Sequence, residues 1–132
     1  MKYRNIFTLL TIITFSVCAF GQSSLEQSKN KGKRIYLSNC VSCHMANGEG
    51  MTGAFPPLAK SDYLEDTEKT IEVILNGASG EMKVNGKSYY GAMVGYSMLT
   101  DQQVADVMNY IQNSWGNEAE IVDAEKVKKV RN

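Results

Sequence analysis

Histidine is almost missing from this sequence, and cysteine is scarce: the 132 residues include one histidine, His44, and three cysteines, Cys18, Cys40 and Cys43. Without a second histidine no imidazole pair can hold a metal, and no distal histidine can serve peroxide chemistry. Charge of either sign is not in excess, since 14 Lys and Arg balance 14 Asp and Glu. With no basic stripe and no net positive charge, nothing marks a nucleic-acid partner. There are no internal repeats, and the length leaves room for one domain. No apolar run reaches the roughly 20 residues that a membrane-spanning helix requires.

The longest apolar run stands at the start. Lys2 and Arg4 precede a stretch from Ile6 to Phe20, diluted by Thr8, Thr11 and Thr14, and Ala19-Phe20-Gly21 follows. This three-part layout is that of a secretory signal, with cleavage expected before Gln22. The reading is therefore a signal peptide over 1–21, a domain over 22–117 and a charged tail over 118–132, the mature protein being exported to the periplasm. A retained membrane anchor ranks second, because the run is short. Lipidation of Cys18 ranks third, because Phe15 and Val17 are poor neighbours for it. Cleavage removes Lys2, Arg4 and Cys18, leaving 12 basic residues against 14 acidic ones. The remaining cysteines and the histidine then all lie between positions 40 and 44.

Cys40-Val41-Ser42-Cys43-His44 is the C-x-x-C-H pattern of covalent haem attachment. Two cysteines at this spacing can each form a thioether with one vinyl group of the same porphyrin. The adjacent histidine then lies under the iron and leaves the opposite face for a second ligand. A structural zinc site asks for four ligands, and the mature chain offers three. A thioredoxin-like C-x-x-C needs a hydrophobic strand leading into it, whereas a charged helical segment leads in here. A plain disulfide closing so short a loop stabilises little.

With no other histidine, methionine is the natural second ligand. Met45 is bonded to His44 and cannot reach the opposite face. Met51 sits in the same Gly-rich loop, and Met108 lies on the apolar stripe of a helix. Met82, Met93 and Met98 remain. Met93 is the first candidate, because Tyr90-Gly91-Ala92-Met93-Val94-Gly95-Tyr96 is a glycine-flanked loop able to fold over a flat cofactor. Met98 comes next and Met82 third.

Three helices can be read. The first covers about Leu25 to Leu37, with Leu25, Ser28, Gly32, Ile35 and Tyr36 on one side, and delivers Cys40. Glycine inside a helix costs about 1 kcal/mol relative to alanine, so Gly32 is expected to mark a close helix contact. The second covers about Thr67 to Asn76, with Ile71, Ile74 and Leu75 inward and Gly77 as its stop. The third opens on a capping box, Thr100 and Gln103. It carries Val104, Val107, Met108, Ile111 and Trp115 at helical spacing, with its end at Gly116. Lys83-Val84-Asn85-Gly86-Lys87 reads as a short hairpin. Asp123 could cap a last short helix bearing Val127 and Val130. Glu65, Asp66, Glu68 and Glu72 could form a docking patch, but read first as the solvated face and N-terminal turn of a helix; the basic Lys126, Lys128, Lys129 and Arg131 read as solvated. So much loop leaves a thin core, so the chain is expected to need its ligand to fold well.

These residues together resemble the class I c-type cytochromes over nearly all of the mature length. The resemblance implies an all-α, cytochrome c-like fold: three main helices, long loops wrapped around one haem, and a short β-hairpin. It implies one covalently bound haem c with its iron, held by Cys40, Cys43 and His44, with Met93 opposite. Gly32 and Tyr36 match the family's first crossing pair; Val107 and Tyr110 match the second. Pro56, with Pro57 as the alternative, matches the proline whose carbonyl accepts the histidine's hydrogen bond, and Leu58 would pack on the porphyrin. Phe55-Pro-Pro-Leu-Ala-Lys-Ser-Asp-Tyr-Leu64, Gly91-Ala-Met93 and Asn113-Ser-Trp-Gly-Asn117 resemble cytochrome domains associated with copper nitrite reductases and periplasmic dehydrogenases. Val94 departs from that subgroup, which usually has a stiffening proline after the methionine.

The implied function is a single-electron carrier, not an enzyme, in a periplasmic respiratory chain. A dehydrogenase, an oxidase or a nitrite reductase would dock transiently at the haem edge. The alternatives are a haem sensor or peroxidase-like protein with an open iron and, behind it, a thiol–disulfide oxidoreductase using Cys40 and Cys43.

Overall fold

The computed structural model describes residues 24–132, so the signal sequence expected over 1–21 lies outside them. The first helix, α1, covers 24–39 of the described residues. Ser28, Gly32 and Tyr36 are buried positions of it, four residues apart along one face. The face is narrow because it meets another helix backbone to backbone. A side chain at Gly32 would lie on the main-chain carbonyl of Asp106 and against Cβ of Tyr110, so only glycine fits.

A turn of helix, α2 (Val41–His44), follows at once. After a long loop come a 3-10 turn (Asp62–Glu65) and α3 (Thr67–Asn76). The Asp66 side chain caps α3 by accepting from the Lys69 amide at 3.0 Å, which assigns part of the acidic cluster to a helix start. Ile71, Ile74 and Leu75 point inward. Strands β1 (Met82–Val84) and β2 (Lys87–Tyr89) pair antiparallel, with Val84 opposite Lys87. Asn85 and Gly86 both have positive φ, as a two-residue hairpin turn of the favoured hand requires.

Helix α4 (Asp101–Ile111) has the expected capping box: the Thr100 hydroxyl accepts from the Gln103 amide, and the Gln103 side chain accepts from the Thr100 amide. Its end differs from the expectation. The helix stops at Ile111 rather than running through Trp115, which has φ 54. Polar side chains take over there. Asn113 Nδ2 donates to the Asn109 carbonyl at 3.1 Å, and Asn117 Nδ2 donates to those of Ile111 and Leu58, both at 2.8 Å. The Trp115 ring turns back onto Tyr36 and Tyr110, with centroids 5.1 and 5.3 Å away.

The charged tail carries the short helix that the sequence offered. Asp123 caps a fifth helix, α5 (Ala124–Arg131), by accepting from the Lys126 amide at 2.8 Å. Val127 is fully buried against the rest of the core. Arg131, although at the surface, is not a free charge, since it pairs with Asp101 at 2.7 Å. The approach to α5 is tied to α4 through Asn109, whose amide accepts from Val122 N–H at 2.7 Å and donates to Val122 C=O at 2.8 Å. Asn109 also donates to Ser28 of α1, and Ser28 donates to Asp106 at 2.6 Å. Among the described residues no helix is long and apolar enough to cross a membrane.

Gly32→Ala should lower the stability of the haem-loaded protein by about 3 kcal/mol, because a new methyl must push α1 and α4 apart. The urea midpoint, followed by tryptophan fluorescence, measures it; an unchanged midpoint would mean that the crossing is looser than the contact implies.

Candidate haem site

The helices and loops enclose a deep apolar cleft, and every element except α5 contributes to its walls. Ile35, Tyr36, Cys40 and Cys43 form one side, and Pro56, Pro57 and Leu58 the loop beside it. Ile74 comes from α3, Val84 and Tyr89 from the hairpin, and Val107 and Ile111 from α4. Met93 and Leu99 line it from the loop before α4. Apolar side chains face an opening here where a small domain of this size would ordinarily pack them against one another.

The attachment motif is presented by helix geometry. Cys40 N–H donates to the Tyr36 carbonyl at 2.8 Å, and the amides of Cys43 and His44 both donate to the Cys40 carbonyl, at 3.2 and 3.0 Å. The motif is thus a turn of helix that continues α1, with both thiols free and half-buried on the cleft wall. Burial, together with the charge of Cys43, pushes the Cys40 thiol up to about 11.

His44 is buried, with its Nδ1 2.9 Å from the carbonyl oxygen of Pro56. A carbonyl can only accept, so Nδ1 carries the proton and Nε2 keeps its lone pair. Burial lowers the pKa of this imidazole, partly offset by the bond to Pro56. The neutral ring is the form that ligates a metal. Pro56, not Pro57, supplies that carbonyl. Leu58, next along, lines the cleft and is held by two loop bonds: its amide donates to Gly48 at 2.7 Å, and its carbonyl accepts from Asn117.

The candidate methionines separate by position. Met93 lines the cleft, and its backbone is pinned by reciprocal bonds with Ala78, at 2.8 and 3.0 Å. This bridge passes over Gly77, where φ is +78 and a side chain would strike the Met93 carbonyl, so glycine is required. Met82 also lines the cleft, from β1. Met98 is 75% exposed and outside it. Of the two candidates behind Met93 in the sequence reading, the third, Met82, thus shares its cleft and the second, Met98, does not. Met108 is fully buried in the core, and Met51 is half exposed.

Two wall residues carried no signal in the sequence. Tyr96 lines the cleft and donates its hydroxyl to the Asn39 carbonyl at 2.6 Å, joining the methionine loop to the end of α1. Ser61 also lines it, with a buried hydroxyl that has no hydrogen-bond partner among the described residues. These groups fit a haem. The walls suit a flat apolar ring, two thiols and a neutral imidazole stand together, and an orphaned hydroxyl can meet the carboxylate edge of the ligand.

Comparison with known proteins agrees. The sequence model of the family Cytochrome c matches residues 30–115. A cytochrome c-552 of Thermus thermophilus is 38% identical over 117 residues, covering 81% of this chain and 78% of that protein. Cytochrome c6 of Cyanidium caldarium is 31% identical over 113 residues, covering 83% of this chain and 92% of that one. The cytochrome c subunit of quinone alcohol dehydrogenase from Gluconobacter oxydans is 35% identical over 105 residues. That match covers 77% of this chain but 22% of the longer subunit. With this motif, this cleft and these relatives, the chain belongs to the cytochrome c family, as a class I monohaem c-type cytochrome that holds one haem c covalently and carries electrons.

Proposed function

We propose that this cytochrome shuttles single electrons in a periplasmic respiratory chain, with His44 and Met93 as the axial ligands of its iron. The observation that carries the reading is the cleft itself: Cys40 and Cys43, with His44 next in the chain, are on its wall, and so is Met93 of the methionine loop. Haem c supplies the redox chemistry, an iron that gains and loses one electron. The protein does the rest. Cys40 and Cys43 fix the ring by thioethers, and Pro56 orients His44 and raises the basicity of its ligating nitrogen. Met93 favours the ferrous state and so raises the potential. Leu58 packs on the porphyrin, and the apolar walls keep water from it.

With His44 and Met93 both holding the iron, substrates would be kept from it. The sensor or peroxidase-like alternative has less support, because Met93 lines the cleft and the sequence has no second histidine. Export is supported by the basic start and apolar run before Gln22. A dehydrogenase as electron donor is supported by the relative that is a quinone alcohol dehydrogenase subunit; an oxidase or a nitrite reductase remains a partner by the same chemistry. Docking is transient, through a small interface at the haem edge.

Expressed with its signal in a host that matures c-type cytochromes, the protein should show sharp reduced bands and, when ferric, the weak far-red band of methionine ligation. Met93→Ala should abolish the far-red band; its persistence would transfer the ligand role to Met82. Rapid carbon monoxide binding by the reduced wild type would favour an open iron instead.

A second check reads the attachment. In denaturant, after reduction, the purified holoprotein should take up no alkylating reagent at Cys40 or Cys43, and its mass should include one haem. Cys40→Ala should leave a haem held by a single thioether, with the reduced bands shifted to the red. Two alkylated cysteines in the wild type would remove the covalent haem from this account.

A further inference from the structure

We infer that Arg131, at the end of α5, is a positioning residue for the methionine loop, holding the segment after Met93 from outside the cleft. The inference rests on the reading of Met93 as the axial ligand. Helix α5 lies beyond residues 30–115, where the family match ends. Its last side chain reaches back to the loop. Arg131 Nη1 donates to the Ser97 carbonyl at 2.9 Å and Nη2 to the Leu99 carbonyl at 2.7 Å, while Nε donates to Asp101 Oδ1 at 2.7 Å.

The hold adds to those the loop has already. Met93 itself is bridged to Ala78 through both its backbone groups. Just after it stand Val94, which is 67% exposed, and Gly95, which packs closely on the backbone of Leu75 and Asn76; no proline restricts either. The next fixed points are Tyr96, whose amide donates to the Ile74 carbonyl at 2.8 Å, and Leu99, whose amide donates to Tyr96 at 3.0 Å. Leu99 itself lines the cleft. Arg131 binds the carbonyls on either side of Met98 and ties both to the first turn of α4 through Asp101. A planar guanidinium can grip three acceptors in fixed directions, which an ammonium cannot. Arg131 and Asp101 are each about two-thirds shielded from solvent, at 30% side-chain exposure. The support of α5 is firm at its other end, through the Asp123 cap and the Asn109 clamp on Val122. A tail outside the family match thereby restrains the loop where proline does not.

The test uses the ferric holoprotein and added imidazole, which replaces a methionine ligand once that ligand swings away. Loss of the far-red band gives the rate. Arg131→Gln should speed it about tenfold, the effect of losing charge-assisted hydrogen bonds at a partly shielded site. Hydrogen exchange at the Tyr96 and Leu99 amides should quicken in parallel. Lys128→Gln removes the same charge from an exposed position on the same helix and should match the wild type. Arg131→Lys should recover only part of the difference. A wild-type rate and unchanged exchange in Arg131→Gln would overturn the inference, and so would full recovery by Arg131→Lys. If the far-red band survives Met93→Ala, the ligand reading fails, and hydrogen exchange alone then decides whether Arg131 holds the loop.

Discussion

Gly32 meets the carbonyl of Asp106 with no side chain between the two helices, and the rest of the molecule is arranged by that contact. It sets how closely and at what angle α1 crosses α4. One turn further along α1, Tyr36 is placed to donate to the Met45 carbonyl at 2.6 Å, which anchors the chain just after His44. The same ring packs against Tyr110 of α4 at 5.4 Å and against Trp115 at 5.1 Å. The helical turn carrying Cys40 and Cys43 therefore cannot move independently of α4, which supplies Val107 and Ile111 to the facing wall. A looser crossing would shift the attachment point relative to the cleft.

The cleft also explains how a short chain whose apolar side chains line an opening can be stable. Ile74, Val107 and Ile111 belong at once to the core and to the cleft wall. In such an arrangement the ligand is part of the core, and burying its ring removes apolar surface that the protein alone leaves open. The polar groups on the walls are few and placed. His44 is fixed by Pro56, Tyr96 by Asn39, and the buried Ser61 hydroxyl has no partner among the described residues. An apolar enclosure with a few oriented polar groups is what a ligand site needs for both affinity and orientation.

The C-terminal tail turns the helix crossing into a closed frame. Asn109 satisfies both backbone groups of Val122 and donates to Ser28 as well, so one buried amide joins α1, α4 and the approach to α5. Arg131 closes the frame on the side of the methionine loop. Lys126, Lys128 and Lys129 remain on the outer surface, so the basic character of the tail is divided between solvated charges and one structural charge.

Features set by neighbours in sequence were legible in the sequence. The C-x-x-C-H spacing works within one turn, the Thr100 and Gln103 box spans four residues, and Asn85-Gly86 makes its own turn. Gly32 was legible too, because a glycine in a helix has a cost that only a close contact repays. What the tertiary structure decided depends on groups far apart in the chain. Pro56 rather than Pro57 meets His44 across the loop. Helix α4 ends at Ile111 because side chains beyond it take its carbonyls, and Trp115 leaves the helical stripe to join the aromatic cluster. Met93 and Met82 face the cleft while Met98 faces water. All three sit in similar surroundings in sequence. Their directions follow from the Ala78 bridge, the hairpin pairing and a tyrosine bond spanning 57 positions. Local propensity cannot encode such contacts, because their free energy appears only once the distant partner is in place.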